Sequence, residues 1–147
     1  MFHRDVAKGV HRVEDSYTNW YLIEEDGKLT VVDCGLPGSW SSLLDALDRL
    51  DRSLSDIEAI VLTHGHFDHI GFAERARREL GIPVYVHEND VPLTKHPRSY
   101  SRLRSPAAYL IKPRALPIVA SFVRMGALWP RAIAEVERFS DEGTLPV

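Results

Sequence analysis

Cysteine is nearly absent from this 147-residue chain, which carries only Cys34. A single thiol cannot form an internal disulfide, so a disulfide framework of the kind that holds small secreted domains together is excluded. The lack of disulfides fits a reducing compartment, and we expect a cytoplasmic location. Cys34 ends an apolar run and has no basic neighbour in the sequence, so we expect a structural thiol rather than a nucleophile.

Long hydrophobic runs are also missing. The longest nearly apolar stretch, from Ala115 to Trp129, is interrupted by Pro117 and Arg124, whereas a membrane-spanning helix needs about 20 apolar residues. The N-terminus lacks the apolar segment of a secretory signal. With 44% hydrophobic and 27% charged residues, the composition is that of an average globular protein, which excludes a disordered chain. We therefore expect a soluble, folded protein.

The charge changes sign along the chain. Residues 1–90 carry nine basic and 17 acidic side chains, whereas residues 91–139 carry nine basic and two acidic ones. Six of the nine prolines lie in the basic stretch. This shift predicts two parts, a folded unit over 1–90 and a basic, helical segment over 91–147. We expect the basic segment to cover the functional site of the folded unit. Two alternatives stay open for it: attraction of an anionic ligand and contact with a membrane surface.

The hydrophobic pattern predicts an α/β fold, a mixed sheet flanked by helices. An Asp-Gly pair at 26–27 predicts a tight hairpin, and Gly81 is placed to cap a helix. Leucines spaced by three and four residues predict the first helix. Predicted strands cover 10–13, 19–24, 28–33, 58–62 and 83–87; predicted helices cover 39–52, 70–80, 107–112, 118–128 and 131–138.

Three histidines and an aspartate fall within six residues, as His64, His66, Asp68 and His69 in THGHFDHIG. This HxHxDH motif begins where an apolar strand ends and a helix begins, the edge at which α/β proteins place ligands. Imidazole and carboxylate are ligands that suit Zn²⁺ and, less selectively, Fe or Mn. The alternative is a helix cap formed by Asp68, with histidines bonded to the backbone. We favour a metal site, because a cap needs only one aspartate.

Around this motif the sequence resembles the metallo-β-lactamase superfamily of metal-dependent hydrolases. The upstream segment NWYLIEEDGKLTVVDCGLPGS resembles that family's opening strands. The resemblance implies the N-terminal half of a four-layer αββα sandwich. It also implies that His64 and His66 bind a first metal, that Asp68 and His69 bind a second, and that Asp33 lies beneath the metals as a supporting group. Asp68 would be catalytic, orienting or deprotonating the attacking water.

The sequence departs from the family's pattern after the motif. Family members supply three further ligands downstream, whereas this chain offers only His87 and His96 after His69. His87 follows the motif too closely to match, and we expect it to be a strand-end surface residue. We therefore expect a domain that is incomplete at its C-terminus and that holds at most one metal ion tightly.

These features together predict a zinc-dependent hydrolase with one or two ions, in which a metal-activated water cleaves an ester, thioester, lactone or related bond of a small molecule. The alternative is a truncated or degenerate fragment that acts as a non-catalytic metal-binding or interaction module. We expect a small-molecule substrate rather than nucleic acid, no organic cofactor, and little membrane-surface contact. A homodimer through an unfinished sheet edge is a further expectation.

Overall fold

The computed structural model describes residues 1–97 and 113–140. In this part of the chain, seven strands form a single mixed sheet and lie side by side in the order of the sequence. Neighbouring strands are antiparallel from β1 to β4 and parallel from β4 to β7. The strands are β1 Phe2–Ala7, β2 Val10–Asp15, β3 Thr18–Glu25, β4 Lys28–Val32, β5 Ile57–Leu62, β6 Val84–His87 and β7 Glu137–Phe139. The helices are α1 Trp40–Leu50, α2 Ala73–Leu80, α3 Val91–Lys95 and α4 Leu116–Arg124.

The antiparallel part is a meander built on tight turns. Asp26 and Gly27 both have positive φ, 48° and 79°, which is the conformation of a two-residue hairpin whose twist matches its strands. The predicted hairpin is therefore confirmed. The sequence pattern missed β1, because charged side chains and a register shift between His3 and Ala7 interrupt its alternation.

The parallel part consists of strands connected by helices, as the pattern predicts. Helix α1 leads from β4 to β5, and α2 leads from β5 to β6. Gly81 ends α2 with φ 69° in the left-handed region, so its predicted role as a cap is confirmed. The predicted helix over 118–128 corresponds to α4, and the one over 107–112 lies outside the described residues.

The predicted helix over 131–138 is wrong. The chain returns to the sheet there, and β7 pairs in parallel with β6. Ile133 is fully buried in the core, and its amide donates to the Thr94 carbonyl at 3.0 Å. Contacts with distant parts of the chain therefore decide this segment against its local helical pattern.

One face of the sheet carries the core. Side chains from β2 to β6 meet the apolar faces of α1 and α2, with Trp20 and Phe72 in edge-to-face contact at 5.4 Å between ring centroids. The opposite face carries a row of half-buried residues in register across four strands: Tyr21, Val32, Val61 and Tyr85. The expected mixed sheet with flanking helices is thus confirmed, while the division at residue 90 stays a prediction. Among the described residues no helix has both the length and the apolar character that a bilayer crossing requires.

Glu74, on α2, ties the returning segment to the folded unit. Its Oε2 accepts a hydrogen bond from the Ala134 amide at 3.1 Å and from Arg77 Nε at 2.9 Å. Arg77 also reaches Glu135 at 3.1 Å, and Lys95 Nζ donates to the Ile133 carbonyl at 2.9 Å. Side chains of both signs therefore hold residues 133–135 in place.

Replacement of Glu74 by glutamine tests this attachment. The hydrogen bond from Arg77 holds the pKa of Glu74 below its ordinary value of 4.5, against the opposing effect of burial. Its contribution to stability is therefore present above that value and is lost as the pH falls through the lower pKa of the folded state. We expect Glu74→Gln to reduce the free energy of unfolding by about 1–3 kcal/mol at pH 7 and by less near pH 3.

Urea unfolding at the two pH values measures this difference. The matched control is Glu79→Gln, which removes an exposed pair with Arg75 on the same helix and should cost about 0.5 kcal/mol or less. An equal loss for the two variants at pH 7 would contradict the role of Glu74.

Candidate functional site

The site lies where β4 and β5 end, because parallel neighbours bring their carboxyl ends to the same edge of the sheet. Asp33 directly follows β4 and Thr63 directly follows β5. The Asp33 amide donates to the Val61 carbonyl at 2.9 Å, which joins the two strand ends. Asp33 has φ 62°, a left-handed conformation that aspartate tolerates better than most residues.

Asp33 is buried, with 5% of the residue exposed. Its carboxylate accepts three hydrogen bonds. Its Oδ1 accepts from the Thr63 amide at 2.9 Å, and its Oδ2 accepts from the Thr63 hydroxyl at 2.7 Å. Oδ2 also lies 2.9 Å from His69 Nδ1. A buried carboxylate is costly unless it is bonded in this way. Asp33 is therefore a fixed acceptor beneath the histidine motif.

This acceptor sets the tautomers of two histidines. An ionised carboxylate only accepts, so His69 Nδ1 carries the proton and leaves Nε2 with its lone pair. The Thr63 hydroxyl donates its only proton to Asp33, so its oxygen accepts a hydrogen bond from His64 Nδ1, 3.0 Å away. His64 therefore also presents an unprotonated Nε2. Metal-binding histidines are oriented by this kind of hydrogen bond.

The motif folds so that its side chains gather. The ring centroid of His64 lies 4.6 Å from that of His66 and 3.9 Å from that of His69. Asp68 Oδ2 lies 3.8 Å from His69 Nε2. The structure thus brings together all four residues of the HxHxDH motif and places Asp33 in direct contact with one of them.

The two histidines held by Asp33 and Thr63 differ in basicity. Burial lowers the pKa of His64, and the neighbouring imidazoles of His69 and His66 lower it further. Burial alone would also lower the pKa of His69. Its hydrogen bond to Asp33 and the charges of Asp33 and Asp68 outweigh that effect and raise this pKa. His64 is therefore favoured in its neutral form, which can act as a metal ligand. At His69, a metal ion would have to compete with a proton for the Nε2 atom.

Backbone hydrogen bonds fasten the motif to the end of β4. The Cys34 amide donates to the His69 carbonyl at 2.6 Å, and the Gly71 amide donates to the Gly35 carbonyl at 2.9 Å. A Cβ on Gly71 would lie 2.2 Å from the carbonyl carbon of Leu36, so only glycine fits there. Cys34 is fully buried, and burial raises the pKa of its thiol well above the ordinary value. The expected structural thiol is confirmed.

The donor set suits a divalent metal ion in its chemistry. Imidazole nitrogens and a carboxylate are the ligands of zinc sites, and two of the imidazoles are held in the ligating tautomer. Within residues 1–97 and 113–140, however, no three His, Cys, Asp or Glu side chains already converge on one point as a metal cage. The residues fit the ion by type and tautomer, and binding would require their side chains to turn.

Thr63 is the one residue of this hydrogen-bonded group that the sequence pattern does not single out, although it lies between the strand end and the first histidine. The basic segment reaches the motif through Phe122 of α4, whose ring lies 5.8 Å from that of Phe67. His87 ends β6 and accepts the Asn89 amide at 3.3 Å, in agreement with its expected place at a strand end.

The chain is similar to one protein family. Residues 13–142 match the family model described as the metallo-beta-lactamase superfamily. The probable metallo-hydrolase YflN of Bacillus subtilis is 32% identical over 103 residues, covering 68% of this chain and 39% of that protein. Ribonuclease J of Mycobacterium tuberculosis is 42% identical over 107 residues, covering 53% of this chain and 19% of that protein. The chain thus spans less than half the length of these relatives.

Solved structures agree in fold. BJP-1, a subclass B3 metallo-beta-lactamase of Bradyrhizobium japonicum, superposes with a TM-score of 0.55 at 28% identity, over 59% of this chain and 33% of that one. A mutant metallo-beta-lactamase from Cronobacter sakazakii superposes with a TM-score of 0.65 over 93% of this chain and 46% of that one. At 17% identity, the second likeness is one of fold alone.

Replacement of Thr63 by valine tests the hydrogen-bonded chain from Asp33 to His64. The change removes the hydroxyl at nearly constant volume and leaves the backbone bond to Asp33 intact. We expect His64 to lose its fixed tautomer while His69 keeps its own, as read from imidazole ¹⁵N shifts of the metal-free chain. Zinc affinity should fall by about 10- to 100-fold. Thr30→Val, on β4, is the isosteric control, and an Nε2–H tautomer of His64 in the unsubstituted chain would contradict the argument.

Proposed function

Because the chain belongs to the metallo-beta-lactamase superfamily of metal-dependent hydrolases, we propose that it hydrolyses an ester, thioester, lactone or related bond of a small molecule. The observation that carries this proposal is the buried carboxylate of Asp33, which leaves the Nε2 atoms of His64 and His69 as lone-pair donors. Metal-binding histidines need a hydrogen bond at Nδ1 that orients the ring and leaves Nε2 unprotonated, whereas a helix cap needs no such bond.

We assign the metal ligands within the motif. His64 and His66 would hold a first ion, and Asp68 and His69 would hold a second, with Asp33 beneath them. Zinc is the ion we favour, and Fe or Mn would suit the same donors. When bound, such an ion supplies a Lewis acid that lowers the pKa of water and stabilises developing negative charge.

The chain's own residues complete the reaction. Asp68 has a side chain that is 29% exposed and stands beside His69, so it can reach both solvent and substrate. We propose that it orients the attacking water, takes its proton and passes that proton to the leaving group. Thr63 and Asp33 occupy the Nδ1 atoms of His64 and His69, so both imidazoles offer Nε2 as the ligand atom.

A phosphodiester is the second candidate substrate bond. It is favoured by the similarity to ribonuclease J, whose name states that it acts on RNA. The first candidate keeps precedence because the similarity to ribonuclease J covers only 53% of this chain and 19% of that protein. A non-catalytic module that only binds metal is the outcome expected if the chain retains zinc without turning over either type of bond.

Other expectations stay proposals. The proposal that the basic segment covers the site is supported by the Phe67–Phe122 contact and by the Gly38 amide, which donates to the Met125 carbonyl at 2.9 Å. A homodimer would use an edge of the sheet, and β1 and β7 lie at its two edges in the described part of the chain. A cytoplasmic location and a small-molecule substrate are likewise proposed.

Replacement of His66 by alanine tests the assignment. We expect the variant to lose at least about 100-fold in turnover of generic esters, because a missing ligand weakens metal binding as well as catalysis. Zinc retained after gel filtration should fall in parallel. The control is His96→Ala, an exposed histidine outside the motif, which should keep both. Full activity in His66→Ala would overturn the proposal.

The number of ions is a separate expectation. Four protein ligands from one motif are too few to hold two ions tightly without a bridging carboxylate, so we expect at most one zinc per chain after dialysis. Elemental analysis of the 147-residue chain measures this. Two retained equivalents would contradict the expectation without affecting the assignment of the motif.

A further inference from the structure

A cleft lined only by charged side chains lies beside helix α2. It has a volume of about 180 Å³ and is lined by Arg75, Arg78, Glu79 and Arg131. An adjoining cleft of about 350 Å³ shares three of these residues and continues to Gly71 and Phe72. Neither cleft is lined by His64, His66, Asp68 or His69, so this is a second place on the molecule.

The charges in the cleft do not balance. Three guanidinium groups face one carboxylate, and Glu79 is already engaged by Arg75 Nε at 2.9 Å. Among the described residues, Arg78 and Arg131 form no ion pair with a carboxylate. Like charges gathered in this way repel one another, and an anion between them would relieve the repulsion.

Arg75 is held in position before any ligand arrives. Its guanidinium carbon lies 4.1 Å from the centroid of the Trp40 ring, and Trp40 is only 7% exposed. The stacking and the hydrogen bond to Glu79 fix the plane of the guanidinium. Less side-chain entropy is then lost when its terminal amino groups bind an anion.

Compensation of the α2 dipole does not account for the cluster. Basic residues in the last turn of a helix stabilise its negative end, and this explains Arg78. Arg131 comes from the returning segment, two residues before the buried Ile133. The attachment of that segment through Glu74 and Ala134 therefore places a third guanidinium beside α2.

We propose that Arg75, Arg78 and Arg131 form a binding site for a phosphoryl group. Arginine matches the oxygens of phosphate in pairs, and the four side chains that line the cleft carry a net charge of +2, which favours an anion there. This site goes beyond the proposed hydrolase function and does not require the metal. Its ligand is either a small phosphate ester or the backbone of a nucleic acid, which share this chemistry.

Binding of inorganic phosphate to the full chain tests the proposal. The titration is carried out in EDTA, so that no metal ion can take up the phosphate, and is followed by NMR of the arginine Nε–H groups. We expect saturable binding, and we expect Arg78→Gln/Arg131→Gln to weaken it by about tenfold or more. The control is Arg124→Gln/Arg138→Gln, which removes the same two charges from exposed arginines that do not line the cleft and should stay within about twofold.

A second arm distinguishes the two sources of the phosphoryl group. A single-stranded RNA oligonucleotide that binds more tightly than phosphate, with a steep dependence on salt, would support a nucleic acid backbone. Tighter binding of a sugar phosphate would support a small ester. Equal phosphate affinity in the double variant and the control, with both folded by circular dichroism, would overturn the site, as would binding no tighter than that of chloride. Loss of hydrolysis in His66→Ala bears on neither result.

Discussion

The buried carboxylate of Asp33 links folding to chemistry in this molecule. A charge removed from water is stable only where donors replace the lost hydration, and here Thr63 and His69 provide those donors. The bonds that satisfy the carboxylate are also the ones that hold β4 against the end of β5 and orient the imidazoles. Stability of the strand ends and order in the candidate metal site therefore depend on the same atoms.

Much of this arrangement is encoded locally and could be predicted. The Asp26-Gly27 pair requires a hairpin because both residues tolerate positive φ, and leucine spacing requires the helix that became α1. The residue types of the HxHxDH motif, imidazole and carboxylate, indicate a metal site without any structural information. Thr63 could not be assigned in the same way, because a hydroxyl gains its role only when Asp33, 30 residues away, supplies an acceptor.

The parts that were missed depend on distant partners. Strand β7 has three residues, too few for a pattern, and exists because β6 offers a parallel edge and Ile133 enters the core. Strand β1 is charged and irregular, as exposed edges commonly are. The arginine cleft also joins residues more than 50 positions apart in the sequence. Sequence periodicity carries no information about contacts between residues that are far apart in the chain.

The hydrogen bonds between the motif and residues 34–35 have a consequence for variation among related chains. The His69 carbonyl and the Gly71 amide are bonded to the backbone after β4, so the loop that carries the motif is fastened to the sheet at two points. Side-chain substitutions leave such backbone bonds in place, so they cannot easily reshape the loop. Variation among related chains would then be concentrated in the surrounding segments, such as α4 and its contact at Phe67, while the backbone of the motif loop stays unchanged.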